Sequence, residues 1–182
     1  MQWKFLMVPA AVIASAPALA GAHYLTIDQA QALLFPGETF TQEFRSLTDE
    51  EMDAITAEAD VKFWNRKIRV WRVSNGGWFF IDQVRGKDDW VSYAVALDSS
   101  GTLTGIEVLV CWEQYNQIRL LAWRDQFTGA RHGEFKGTRY GKIVESSKIQ
   151  NLSGTTLSTV HVTEGVTRVL ATFAVVLAPQ DL

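Results

Sequence analysis

The stretch from Lys67 to Glu113 constrains the fold more than any other part of the chain. "KIRVWRVS" sets Ile68, Val70 and Val73 against Lys67, Arg69 and Arg72. A half-buried strand produces this alternation because successive side chains point to opposite faces. Asn75-Gly76-Gly77 supplies a tight turn, and "WFFIDQV" follows as a second strand. "WVSYAVALD" and "TLTGIEVLVCWE" repeat the arrangement across Ser99-Ser100-Gly101. Four strands joined by such short turns predict an antiparallel meander. Trp71, Trp78, Trp90 and Trp112 lie within it, so the sheet can cover a flat ligand as well as a core.

Helical signals flank this meander. "LTIDQAQALLFPG" reads as a short helix that Pro36 and Gly37 end, and "SLTDEEMDAITAEAD" as an amphipathic helix capped by Ser46 or Thr48, with acids in its first turn. "IRLLAWRDQFTG" reads as another short helix, closed by Gly129, and "ARHGEFKGTRYGK" as a basic, glycine-rich loop. In the last segment, Val162, Val166, Val169, Leu170, Phe173, Val176 and Leu177 recur at helical spacing up to Pro179. The expected fold is therefore α+β: an antiparallel sheet of four or more strands flanked by helices, with a long C-terminal helix. Its length of 182 residues suits a single core.

The first residues point outside the cytoplasm. Lys4 precedes an apolar run, and Ala18-Leu19-Ala20 forms a small-residue cleavage pattern. Pro9 and Pro17 interrupt the run, which is too short for a membrane span. Residues 1–20 read as a signal peptide, 21–60 as an N-terminal helical segment and 61–182 as the functional domain. The expected location is periplasmic or otherwise extracytoplasmic, with membrane association open. Removing Lys4 leaves sixteen cations against twenty acids, and this net acidity provides no general footprint for nucleic acid. Cys111, the single cysteine, cannot form an internal disulfide and reads as a small buried hydrophobe. The three histidines have no ligand-like spacing, so no metal site is expected.

The chemistry concentrates before the last helix, in "IQNLSGTTLSTVHVTEGVT". A helix N-terminus offers unpaired N–H groups and the positive end of the macrodipole, a natural seat for phosphate. Gly154 permits close backbone approach, and Ser153, Thr155, Thr156 and Ser158 offer hydroxyls. The same residues would also serve as an ordinary capping segment.

"NLSGTTLSTVHVTEGV" closely resembles the covalent-flavin motif of the FMN-binding domain family, which includes flavin-bearing components of the sodium-translocating NADH:quinone reductase and of the Rnf complex. The family pattern is Asp-x-x-Ser/Thr-Gly-Ala-Ser/Thr, with FMN esterified through its phosphate to the final hydroxyl. Ser153 and Gly154 match, Thr156 falls at the acceptor position, Thr155 stands where alanine is usual, and Gln150 replaces the leading acid. Weaker similarity to small exported members extends over roughly residues 70–175. The glycine-rich stretch that often follows the family's glutamate is missing after Glu113.

The resemblance implies a cofactor site made of Ser153, Gly154, Thr155, Thr156, Leu157 and Ser158, with Trp123 and Glu113 near the flavin. Trp112, Tyr115 and Phe127 are further stacking candidates, and Lys87 a further charge for the ring edge. It also implies a covalent flavoprotein that carries electrons, a flavin transferase for maturation, and a redox protein or membrane reductase as donor or acceptor. No catalytic residue of its own is expected. Two other classes stay open: a flavin-dependent reductase of a small substrate, and an unloaded binding or sensory module.

Overall fold

The computed structural model describes residues 22–63, 65–112, 117–135, 149–150, 152, 154 and 156–178. The expected signal peptide lies outside them. Six antiparallel strands form one sheet: β1 (Ala22–His23), β2 (Phe40–Ser46), β3 (Lys67–Val73), β4 (Trp78–Arg85), β5 (Trp90–Leu97) and β6 (Leu103–Cys111). Their spatial order is β1-β6-β5-β4-β3-β2, so β2 to β6 form an uninterrupted meander and β1 returns to its far edge. The four predicted strands are present. Two more come from the 21–60 segment, which is thus part of the sheet and not only helical.

Helix α1 (Ile27–Leu34) and helix α2 (Asp49–Ala59) each begin with a capping box. Thr26 and Thr48 accept from the backbone of Gln29 and Glu51, whose side chains accept from the threonine N–H in return. Thr48, not Ser46, is thus the cap of α2; Ser46 ends β2. Helix α3 (Leu121–Arg124) sits between two single 3-10 turns, Gln117–Arg119 and Asp125–Phe127. Helix α4 (Thr156–Thr172) runs on through a π-helical turn, Phe173–Leu177.

These elements stack in three layers. On one face of the sheet, Trp71, Val73, Phe79, Ile81, Ala94, Ala96 and Leu109 pack with Ala30 and Phe35 around α1. On the other face, Val70, Phe80, Val84, Val95, Ile106 and Val108 pack with Val162, Val166, Val169 and Leu170 of α4, with Phe173 of the π-helical turn, and with Trp123 and Phe127. Helix α2 closes this second layer, resting Ile55 and Ala59 on Ala171. Covering on both faces explains why "VSYAVAL" in β5 is continuously buried and does not alternate. From Thr156 to Leu177 the chain is long and apolar enough to cross a membrane, yet 61% of its most apolar window is buried against the rest of the fold.

Candidate functional site

Two features come together on α4. The first is its N-terminus. Gly154 is exposed and adopts φ +84°, a left-handed conformation that favours glycine. Thr156, the first helical residue, is exposed, and Leu157 beside it is 49% exposed. Ser158 behaves differently. Two helical residues turn the chain by about 200°, and its side chain is buried, with no hydrogen-bond partner for Oγ among the described residues. It faces away from Thr156 and is not positioned to share a ligand with it.

The approach to this helix is held from both sides. Trp123 Nε1 donates to the Gln150 carbonyl at 2.9 Å, and the Gln150 N–H donates to Gln126 Oε1 at 2.8 Å. Ile149 is buried alongside. Trp123 is 2% exposed and meets Phe127 edge to face, with ring centroids 5.1 Å apart. Its indole therefore fixes the chain leading to α4 and offers no open face for stacking. Phe127 is fully buried, whereas Trp112 is 42% exposed and Lys87 lies exposed in the β4–β5 turn. Ser153, Thr155, Glu113 and Tyr115 lie outside the described residues.

The second feature is a cleft of 710 Å³ along the middle of α4. Residues 60–63, 65 and 67–69 form one wall, β4 with Trp90 another, and His161, Glu164, Arg168 and Thr172 the helical side. These four residues recur at spacings of three and four and so share one helical face. At its back, Asp82 Oδ2 accepts from Arg168 Nη2 at 2.6 Å and from Tyr93 Oη at 2.8 Å. Gly165 makes this possible: a Cβ at that position would overlap Tyr93 Oη. Among the described residues Asp82 is the hydrogen-bond partner of Arg168, whose guanidinium also lies 5.9 Å from the Phe63 ring. Arg168 itself lines the cleft. His161 Nδ1 contacts the Arg85 carbonyl. Because a carbonyl only accepts, Nδ1 is the donor in this contact. His161 is thus half-buried and engaged.

Burial, and then the neighbouring Asp82 carboxylate, push the Tyr93 phenol well above its ordinary pKa. Burial works against the Arg168 charge, but Asp82 and Tyr93 more than offset it and raise the Arg168 pKa. The pH consequence comes from Tyr93. An unfolded tyrosine ionises near about pH 10, whereas the folded phenol stays protonated beyond that point. The stability it contributes is therefore complete below about pH 10 and declines above it. Ultraviolet titration of the four tyrosines is expected to show Tyr93 ionising only as the protein unfolds; early ionisation at its ordinary pKa would contradict the buried arrangement.

This cleft was not legible from sequence, because its walls come from segments far apart in the chain. The alignment of His161, Glu164 and Arg168 on one helical face was the signal available. Among the described residues, no group of three His, Cys, Asp or Glu side chains could hold a metal ion. No protein-family model matches the chain, and a search of curated proteins finds no significant match.

Proposed function

We propose that this chain is an extracytoplasmic electron-transfer protein of the FMN-binding domain type, with FMN esterified through its phosphate to Thr156 Oγ1. The observation that carries the reading is the exposure of Thr156 at the first position of α4, behind an exposed glycine with positive φ. An acceptor hydroxyl must be reachable by a flavin transferase, and the exposure of Thr156 supports that access. The resemblance of residues 150–156 to the covalent-flavin motif supports the same assignment.

When bound, FMN supplies one- and two-electron redox chemistry, which the protein orients and tunes. The N-terminus of α4, with the positive end of its macrodipole, would hold the ester phosphate without help from a lysine. Leu157 offers an exposed apolar contact next to it. Trp123 and Gln126 hold the backbone of Gln150, six residues before the acceptor hydroxyl. The covalent link removes cofactor dissociation, an advantage where free FMN is scarce. Electrons would come from and go to other redox proteins or a membrane-embedded reductase, after maturation by the transferase.

Co-expression with a flavin transferase tests this reading. The purified protein is expected to show flavin absorbance, Thr156→Ala to be colourless, and Ser158→Ala to stay coloured. Equal absorbance in the wild type and Thr156→Ala would overturn it.

The cleft favours a second reading, a flavin-dependent reductase of a small substrate. Its volume falls within the roughly 300–1,000 Å³ of small-molecule sites, and Arg168 would favour a carboxylate. Turnover of a small carboxylate by the isolated, loaded protein would favour this reading over a carrier that needs protein partners.

A further inference from the structure

Strand β2 is the terminal strand of the sheet, and its outer edge carries an arrangement complementary to itself. It pairs with β3 over its full length, from Phe40↔Val73 to Ser46↔Lys67, without a bulge. No proline interrupts it. Natural edges are usually shortened, kinked or blocked to prevent pairing, but this one is seven residues long and holds Phe44 with 90% of its surface exposed.

The parity of the ladder fixes which groups face outward. Leu47 N–H donates to the Arg66 carbonyl and Ser74 N–H to the Thr39 carbonyl, so the odd residues of this segment direct their backbone groups toward β3. Backbone groups of Gln42, Phe44 and Ser46 therefore point to the open edge. A second strand can bond here only in a register that sets even residues opposite even residues.

We propose that two copies of this chain associate through antiparallel pairing of β2 with β2 about a two-fold axis at Phe44. In this register Phe44 opposes Phe44 as a doubly hydrogen-bonded pair, and Gln42 opposes Ser46 on either side. Glu43 then faces Arg45 of the other copy, twice. Moving the register two residues either way sets Glu43 against Glu43 or Arg45 against Arg45, so charge selects this one alignment. Within one chain Glu43 already lies 3.5 Å from Arg72, and Arg45 2.7 Å from Glu51. Pairing would join these into an alternating row: Arg72, Glu43, then Arg45 and Glu51 of the second copy. The two six-stranded sheets would become continuous, and the two exposed phenylalanine rings would cover each other.

Analytical ultracentrifugation of the mature protein over a concentration series is expected to show a reversible monomer–dimer equilibrium. Glu43→Arg alone and Arg45→Glu alone should each weaken dimerisation by about tenfold or more, since each sets like charges opposite twice. Mixing these two variants should restore a heterodimer, because every opposed pair is then of opposite sign. Phe44→Lys should give a monomer with unchanged circular dichroism. A wild type that stays monomeric at all concentrations would overturn the proposal. So would variants that dimerise as well alone as mixed, which would place the interface elsewhere.

Discussion

Replacing Gly165 by alanine is expected to destabilise the protein by about 3 kcal/mol, although glycine to alanine inside a helix ordinarily gains about 1 kcal/mol. The reversal follows from where Gly165 lies. It is in the middle of α4, over β5, and the missing side chain leaves room for the Tyr93 hydroxyl. A methyl group there would overlap Oη and would come within 2.9 Å of Val84 Cγ1. Tyr93 is fully buried in β5, so its ring cannot swing aside. Either the phenol gives up its hydrogen bond to Asp82 or α4 lifts from the sheet. For a chain of this size the midpoint of thermal unfolding should fall by roughly 6–12 °C. Tyr93→Phe separates the causes. Removing Oη takes away the closest clash, so Gly165→Ala should cost clearly less in that background than in the wild type. Equal costs in both backgrounds would show that the hydroxyl is not what requires the glycine.

Arg168→Met is expected to cost about 2–3 kcal/mol at neutral pH, by leaving the Asp82 carboxylate with the Tyr93 hydroxyl as its remaining donor. The side chains of Arg168 and Asp82 are 12% and 26% exposed, which is why the cost lies below that of a fully buried pair. Methionine keeps an unbranched aliphatic side chain of similar reach, so the loss reports the charge more than a cavity. Adding Asp82→Asn should recover part of it, because the unpaired charge disappears. Denaturant unfolding of the two single variants and the double variant measures this coupling; strictly additive costs would mean that the contact contributes nothing beyond its members.

Those two centres mark where sequence reasoning reached its limit. Local rules sufficed for much of the fold. The Pro36-Gly37 stop, the capping Thr48, the Asn75-Gly76-Gly77 turn, and the spacing of Val162, Val166, Val169 and Leu170 each act within a few residues, and each marks an element that the structure contains. Strand β2 was not legible, because "FTQEFRS" lies at an exposed edge where no buried face enforces alternation. Strand β1 has only two residues and draws its existence from β6.

The site divides along the same line. Thr156 and Gly154 were marked by their own sequence context, and the structure leaves both exposed. Ser158 was grouped with them because neighbours in sequence look like neighbours in space, but helical rotation turns it inward. Trp123 was read as a flat surface for a ring, and the structure makes it a clamp on Gln150, 27 residues away. Asp82, Tyr93 and Arg168 meet across two strands and a helix, with the ion-pair partners 86 positions apart in the chain. No window of sequence contains that contact.

Intact-mass analysis of the purified protein, made with and without a flavin transferase, reads the covalent attachment itself. The expected result is a gain of one FMN less one water in the wild type only when the transferase is present. Peptide mapping should place that gain at Thr156, and Thr156→Ala should show none. A wild type that never gains the mass, or a Thr156→Ala variant that gains it in full, would contradict it.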